Sequence, residues 1–118
     1  MKIEFIQYPP CGTCRKAKKW LTENNLEFTD RHIVEDTPSQ AELTAFYKKS
    51  GLPLKKFFNT SGVVYKELGL KDNLANMSEE EQLKLLSSDG KLIKRPLLIT
   101  PDTVLVGFKE AEWESTLK

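Results

Sequence analysis

The chain's two cysteines stand three positions apart, in Tyr8-Pro9-Pro10-Cys11-Gly12-Thr13-Cys14-Arg15-Lys16. That spacing suits three kinds of chemistry: half of a zinc site, a structural disulfide, or a pair that cycles between dithiol and disulfide. Zinc needs four ligands, usually two cysteine pairs or cysteine with histidine, and the sequence offers two cysteines and one histidine, His32. No metal is therefore expected. A Cys11–Cys14 bond closes so small a loop that it removes little entropy from the unfolded chain, and a cytosolic environment would reduce it. The residues favour the redox pair, with two inert thiols as the alternative. Sulfur would carry such chemistry unaided, so no cofactor is expected.

The two thiols differ in setting. Pro9-Pro10 ends a strand-like run and a helix follows, which puts Cys11 where unpaired backbone N–H groups and a partial positive charge stabilise an anion. With Arg15 and Lys16 nearby, a thiolate there forms below the usual range near ~8.5. Cys14 opens the apolar stripe Cys14-Ala17-Trp20-Leu21 and should face inward, within reach of Cys11 across the i, i+3 spacing. Cys11 is thus the attacking sulfur and Cys14 the resolving one.

Lys94-Arg95-Pro96 is the second place with chemistry. Arg95 is one of three arginines (Arg15, Arg31, Arg95) in a chain that otherwise uses lysine. A planar guanidinium suits an oxyanion or carboxylate better than an ammonium does. Pro96 at the start of a strand cannot donate to the ladder, and a cis bond would turn the chain toward the cysteine loop. About one X–Pro bond in twenty is cis, and the residues leave the isomer open. His32 has no serine or carboxylate constellation around it and reads as a strand residue.

The elements that must position these groups follow from hydrophobic period. Lys2 to Tyr8 carries Ile3, Phe5, Ile6 and Tyr8 and reads as a buried strand. A helix follows and stops at Asn24-Asn25, and Leu26 to Val34 reads as a second strand, together the size of a right-handed βαβ unit. Thr37-Pro38 with Gln40 has the form of a capping box ahead of Leu43, Phe46 and Tyr47, with Gly51 as the stop. Ser78 with Glu81 repeats that signature before Leu83, Leu85 and Leu86, and Asp89-Gly90 closes the helix. Between them, Phe57-Phe58, Asn59-Thr60-Ser61-Gly62 and Tyr65 to Leu70 read as one or two short helices joined by a turn. Pro96 to Thr100 and Thr103 to Val106 form an expected antiparallel hairpin about Pro101-Asp102, and Glu110 to Leu117 a closing helix. The sum is an α/β domain over residues 1–118: β-α-β, a helical insertion at about 37–90, then β-β-α, with a four-stranded mixed sheet between helical layers.

Composition narrows the function class. The chain has 118 residues, 39% of them hydrophobic, enough for one core without staples. Eighteen basic residues stand against 17 acidic ones, a net charge of +1, so there is no excess of positive charge for nucleic acid or an anionic membrane. The N-terminus enters a strand directly and no apolar run is long enough for a signal segment or a spanning helix. A monomer in the cytoplasm is expected.

A strand followed at once by Cys-x-x-Cys-Arg-Lys-Ala, a helical insert, Arg-Pro-Leu before a hairpin, and Val-Gly-Phe with a final short helix resembles the ArsC/Spx family of thioredoxin-fold proteins. The resemblance runs from Ile3 to about Trp113 and is nearest the arsenate reductase-related, ArsC-like branch. It implies a thioredoxin-like fold, a nucleophilic Cys11, a cis Pro96 lying against the cysteine loop, and Arg95 in an anion-binding site. The partners it implies are a thiol or disulfide substrate and a reductant such as glutathione, glutaredoxin or thioredoxin. Its Spx branch implies instead a redox-sensing transcriptional regulator that grips the RNA polymerase α subunit. Arsenate reductases of the family hold their oxyanion with several arginines. Here Asn59-Thr60-Ser61-Gly62 and Gly107-Phe108-Lys109 carry none at the corresponding places, and Spx proteins usually have an arginine at the first of them.

Overall fold

The structure, a computed structural model, describes residues 2–118. Its elements run β1 (Glu4–Gln7), α1 (Gly12–Glu23), β2 (Thr29–His32), α2 (Gln40–Ser50), α3 (Val63–Glu67), α4 (Leu70–Asn73), α5 (Glu79–Ser88), β3 (Leu97–Ile99), β4 (Val104–Val106) and α6 (Glu110–Leu117). The strands form one sheet in the order β2-β1-β3-β4, with β1 parallel to β2 and antiparallel to β3, and β3 antiparallel to β4. This is the mixed four-stranded sheet of the thioredoxin-like expectation, with the helical insertion between β2 and β3.

Strand alternation sorts the core into two layers. Ile6, Leu97 and Val104 point into the layer filled by the insertion, with Leu43, Phe57, Leu86 and Ile93. Their neighbours Phe5, Leu98 and Leu105 point the other way, onto Ala17, Trp20 and Leu21 of α1 and Trp113 and Leu117 of α6. Trp113 is completely buried; its Nε1–H donates to the Gly107 carbonyl at 3.1 Å, and it meets Phe5, Trp20 and Phe108 edge-on.

Several boundaries differ from the sequence reading. The strands are shorter than the apolar runs: Ile3 and Ile33 are buried, but only their main-chain bonds to Thr29 and Gln7 continue the ladder. α2 begins not with Thr37 but with Ser39 as its N-cap, in a reciprocal capping box with Glu42. Both pairs fit the S/T-x-x-E/Q pattern. Ser39–Glu42 prevails because the Glu42 carboxylate also accepts from both terminal nitrogens of Arg31 at 2.7 and 3.0 Å, while the Thr37 hydroxyl donates to the Ile33 and Val34 carbonyls. Gly51 (φ 69°) stops α2 and the Ser78–Glu81 box starts α5, as expected. The middle region holds α3, α4 and two 3₁₀ turns, Leu54–Phe57 and Leu74–Asn76.

Two contacts close the insertion onto the segment that leads into β3. The Lys94 N–H bonds Phe57 O at 2.8 Å and the Asn59 N–H bonds Leu92 O at 2.8 Å, which sets the Asn59–Gly62 turn beside Arg95. Gly90 is packed so tightly on β2's exit that an added Cβ would lie 2.0 Å from Ile33 O and 2.9 Å from Val34 Cα.

Candidate active site

Sheet register brings the two chemically active stretches together. β3 runs antiparallel to β1 with Leu97 opposite Ile6, so Arg95 and Pro96, just before β3, stand at the end of β1 where the chain leaves for Tyr8 and the cysteine loop. The Arg95–Pro96 bond is cis, and the Pro96 carbonyl accepts from the Gly107 N–H at 2.8 Å. Gly107 takes a left-handed conformation (φ 77°).

Cys11 is the N-cap of α1, half-buried, with its N–H donating to Tyr8 O at 2.9 Å. The first turn of α1 contains no carboxylate, so the helix's positive end is left for another anion. The Cys11 sulfur makes no capping bond of conventional geometry. It nonetheless faces the donors of that turn, and its pKa is lowered. Burial is the largest single influence and opposes ionisation; the Cys14 N–H and thiol, the Arg95 guanidinium and the Thr13 N–H together outweigh it.

Cys14 is completely buried, one turn on and in contact with Cys11. Burial pushes its thiol up to about 12, helped by the neighbouring Cys11 sulfur and opposed by the Tyr8 N–H, which donates to Cys14 Sγ at 3.5 Å, and by the charge of Arg95. Both cysteines are free thiols. The arrangement therefore presents one accessible sulfur that ionises readily beside one shielded sulfur that does not.

The Arg95 guanidinium favours the Cys11 thiolate, and its Nη1 donates to the Lys91 carbonyl at 3.2 Å. Arg15 is exposed on the first turn of α1, and its N–H bonds the Cys11 carbonyl at 3.1 Å. Of the two arginines expected near Cys11, Arg95 is the one whose side chain acts on the sulfur. The third, Arg31, is elsewhere: it ties Glu4 of β1, Asp36 and Glu42 of α2 together. Among the described residues no group of three His, Cys, Asp or Glu side chains gathers as a metal site requires.

Sequence reading missed Tyr8, taken only as a strand residue. Its ring lies under the Arg95 guanidinium, 4.9 Å from carbon to centroid, and meets His32 edge-on at 5.8 Å. The available signal was an aromatic residue immediately before the cysteine loop. Tyr8 and Arg95 open a cleft of about 500 Å³ that continues along Asn59, Val63, Glu67 and Lys91.

Comparison with known proteins agrees with this architecture. The model of the ArsC family matches residues 6–116. The chain is 60% identical over 114 residues to the uncharacterized protein YusI of Bacillus subtilis, covering 97% of each. It is 32% identical to the regulatory protein MgsR of the same organism, over 94% of this chain and 86% of MgsR. Among solved structures, an ArsC family related protein from Bacteroides fragilis superposes with a TM-score of 0.94 at 63% identity, covering 98% of this chain and 97% of that one. The matched span contains the cysteine pair, Arg95 and every strand but the start of β1, and the chain belongs to the ArsC family.

Proposed function

We propose that this protein is a thiol–disulfide oxidoreductase in which Cys11 attacks and Cys14 resolves. The observation that carries the reading is the inequality of the two thiols: Cys11 accessible with a lowered pKa, Cys14 fully buried and pushed up to about 12. In the first step the Cys11 thiolate attacks one sulfur of a substrate disulfide, forming a mixed disulfide and releasing a thiolate that takes a proton from water. Cys14 then loses its proton and attacks Cys11 Sγ, expelling the second substrate thiol. Two electrons pass to the substrate and remain missing in a Cys11–Cys14 disulfide, which an external dithiol or glutathione reduces.

The high pKa of Cys14 fits its turn in this sequence. Two of the influences that raise it come from the Cys11 sulfur, and they lapse once that sulfur is bound in the mixed disulfide. The Tyr8 N–H and the Arg95 charge, which favour the Cys14 thiolate, persist. Arg15, exposed beside the cysteines, faces incoming anionic groups, and Pro96 acts by setting where Arg95 begins. Arsenate is outside this reading. A lone Arg95 at the sulfur leaves a dianionic oxyanion short of charge-assisted contacts at about 1.5–3 kcal/mol each.

Thiolate absorbance titrations of the Cys11→Ser and Cys14→Ser variants test the assignment: the midpoint of Cys11 lies below that of Cys14, and the reverse order overturns it. A second reading, a redox-sensing regulator that binds the RNA polymerase α subunit, is favoured by the similarity to MgsR along nearly the whole chain. Capture of that subunit from lysate by one redox state and not the other supports it, and no enrichment in either state removes it.

A further inference from the structure

We propose that Tyr8 is a positioning residue of this site: its ring is the platform that holds the Arg95 guanidinium at the Cys11 sulfur. The inference rests on the reading of Cys11 as the nucleophile. Arginine has many rotamers, and a half-buried one stays at a sulfur only if other contacts restrict it. Two do. The Lys91 carbonyl accepts from Nη1 at 3.2 Å, which fixes one nitrogen but leaves the plane free to turn about it. The Tyr8 ring, 4.9 Å from the guanidinium carbon, supplies the face on which that plane rests.

Tyr8 is itself well anchored. Its carbonyl accepts the Cys11 N–H at 2.9 Å and its N–H donates to Cys14 Sγ at 3.5 Å, so its backbone moves with the cysteine loop. His32, beside Gln7 across the parallel ladder, packs edge-on against the ring. The His32 Nδ1 accepts the Val34 and Glu35 N–H groups, which leaves the histidine fixed as a wall. The charged and titratable groups around this assembly are Cys14 of α1, Arg95 and Lys91 ahead of β3, His32 of β2 and Glu67 of α3. Among the described residues, Cys14 and Arg95 are the side chains that favour the Cys11 thiolate.

The main-chain contacts of Tyr8 do not depend on its side chain, so the ring can be tested separately. Thiolate absorbance of Cys11 is titrated in wild type, Tyr8→Phe, Tyr8→Leu, Arg95→Ala and the Tyr8→Leu/Arg95→Ala double variant, with folding checked by circular dichroism. Tyr8→Phe keeps an aromatic face and the wild-type midpoint. Tyr8→Leu raises the midpoint, lowering the thiolate fraction below it about two- to fivefold, the range of an exposed cation–π contact. In the Arg95→Ala background the same change has no further effect. An unchanged midpoint in Tyr8→Leu, or an equal shift with and without Arg95, overturns the proposal. If Tyr8→Leu does not fold, Tyr8→Thr serves the same comparison. Failure of the underlying reading looks different: a wild-type Cys11 midpoint at or above that of Cys14.

Discussion

Removing Arg95 should produce a pair of rate–pH curves that cross. Among the described residues, Arg95 is the cationic side chain that lowers the Cys11 pKa, and Arg95→Ala deletes it while leaving the helix turn and Cys14 in place. A hydrogen bond to a charged partner contributes about 1.5–3 kcal/mol. Arg95 is half-exposed, so screening by water puts the loss at the lower end. A loss of about 1.4 kcal/mol corresponds to a tenfold smaller thiolate fraction at pH values well below the midpoint. The remaining thiolate is more basic and hence intrinsically more reactive, by about threefold for a Brønsted slope of ~0.4–0.5. Alkylation by a neutral reagent such as iodoacetamide should therefore be about threefold slower in Arg95→Ala below both midpoints, and about threefold faster above both. Cys14, buried and pushed up to about 12, contributes little to either limb. A parallel drop across the whole pH range would mean that Arg95 governs access rather than ionisation, and coincident curves would mean it does neither; each refutes the electrostatic argument.

In Cys14→Ser, mixed disulfides on Cys11 should accumulate in cells, with mass spectrometry of the trapped species as the check, whereas Cys11→Ser should trap none. Trp113→Ala, which empties a fully buried indole site, should cost about 3–5 kcal/mol in denaturant unfolding. The Arg31 guanidinium holds the Glu42 carboxyl down at about 2, so the stability it supplies is complete above the unfolded carboxyl's range near ~4.3 and is lost as pH falls toward about 2. Glu42 is 41% exposed, which limits the effect to about 1 kcal/mol. The stability gap between wild type and Glu42→Gln should accordingly close on acidification, as read by denaturant midpoints. Turnover of arsenate with glutathione and glutaredoxin should be absent, and robust reduction would show that lysines and backbone donors replace the missing arginines.

Much of this was legible in the chain because it depends on local signals. The Cys14-Ala17-Trp20-Leu21 stripe identifies the buried thiol, and the prolines before Cys11 mark the helix start; the buried residues of α1 are those four. The closing helix, Glu110–Leu117, falls on its expected bounds, since a change from period 2 to 3.6 is a local event. Long-range contacts decided what was missed. Two overlapping capping boxes competed at Thr37 and Ser39, and Arg31, brought over from β2, settled the choice. Tyr8 reads as one more apolar strand residue until the β1–β3 register sets Arg95 above its ring. The cis state of Pro96 came from family resemblance alone, because no residue pattern around it distinguishes the isomers.

Gly90 carries one more consequence. Because its backbone lies flush against Ile33 and Val34, the segment that departs after β2 returns to its own point of departure, and the two ends of the insertion are clamped together there. Between those ends the insertion is a packed layer, with Leu43, Phe57 and Leu86 set against Ile6 and Leu97 of the sheet, so only its exposed turns carry the loop-closure cost of about 0.6 kcal/mol per doubling of length. A methyl group at the clamp, as in Gly90→Ala, should cost about 3 kcal/mol or more, whereas residues added to an exposed turn of the insertion should cost far less. The insertion is thus clamped at its two ends, and length can vary in its exposed turns without moving the sulfur pair, Arg95 or Tyr8.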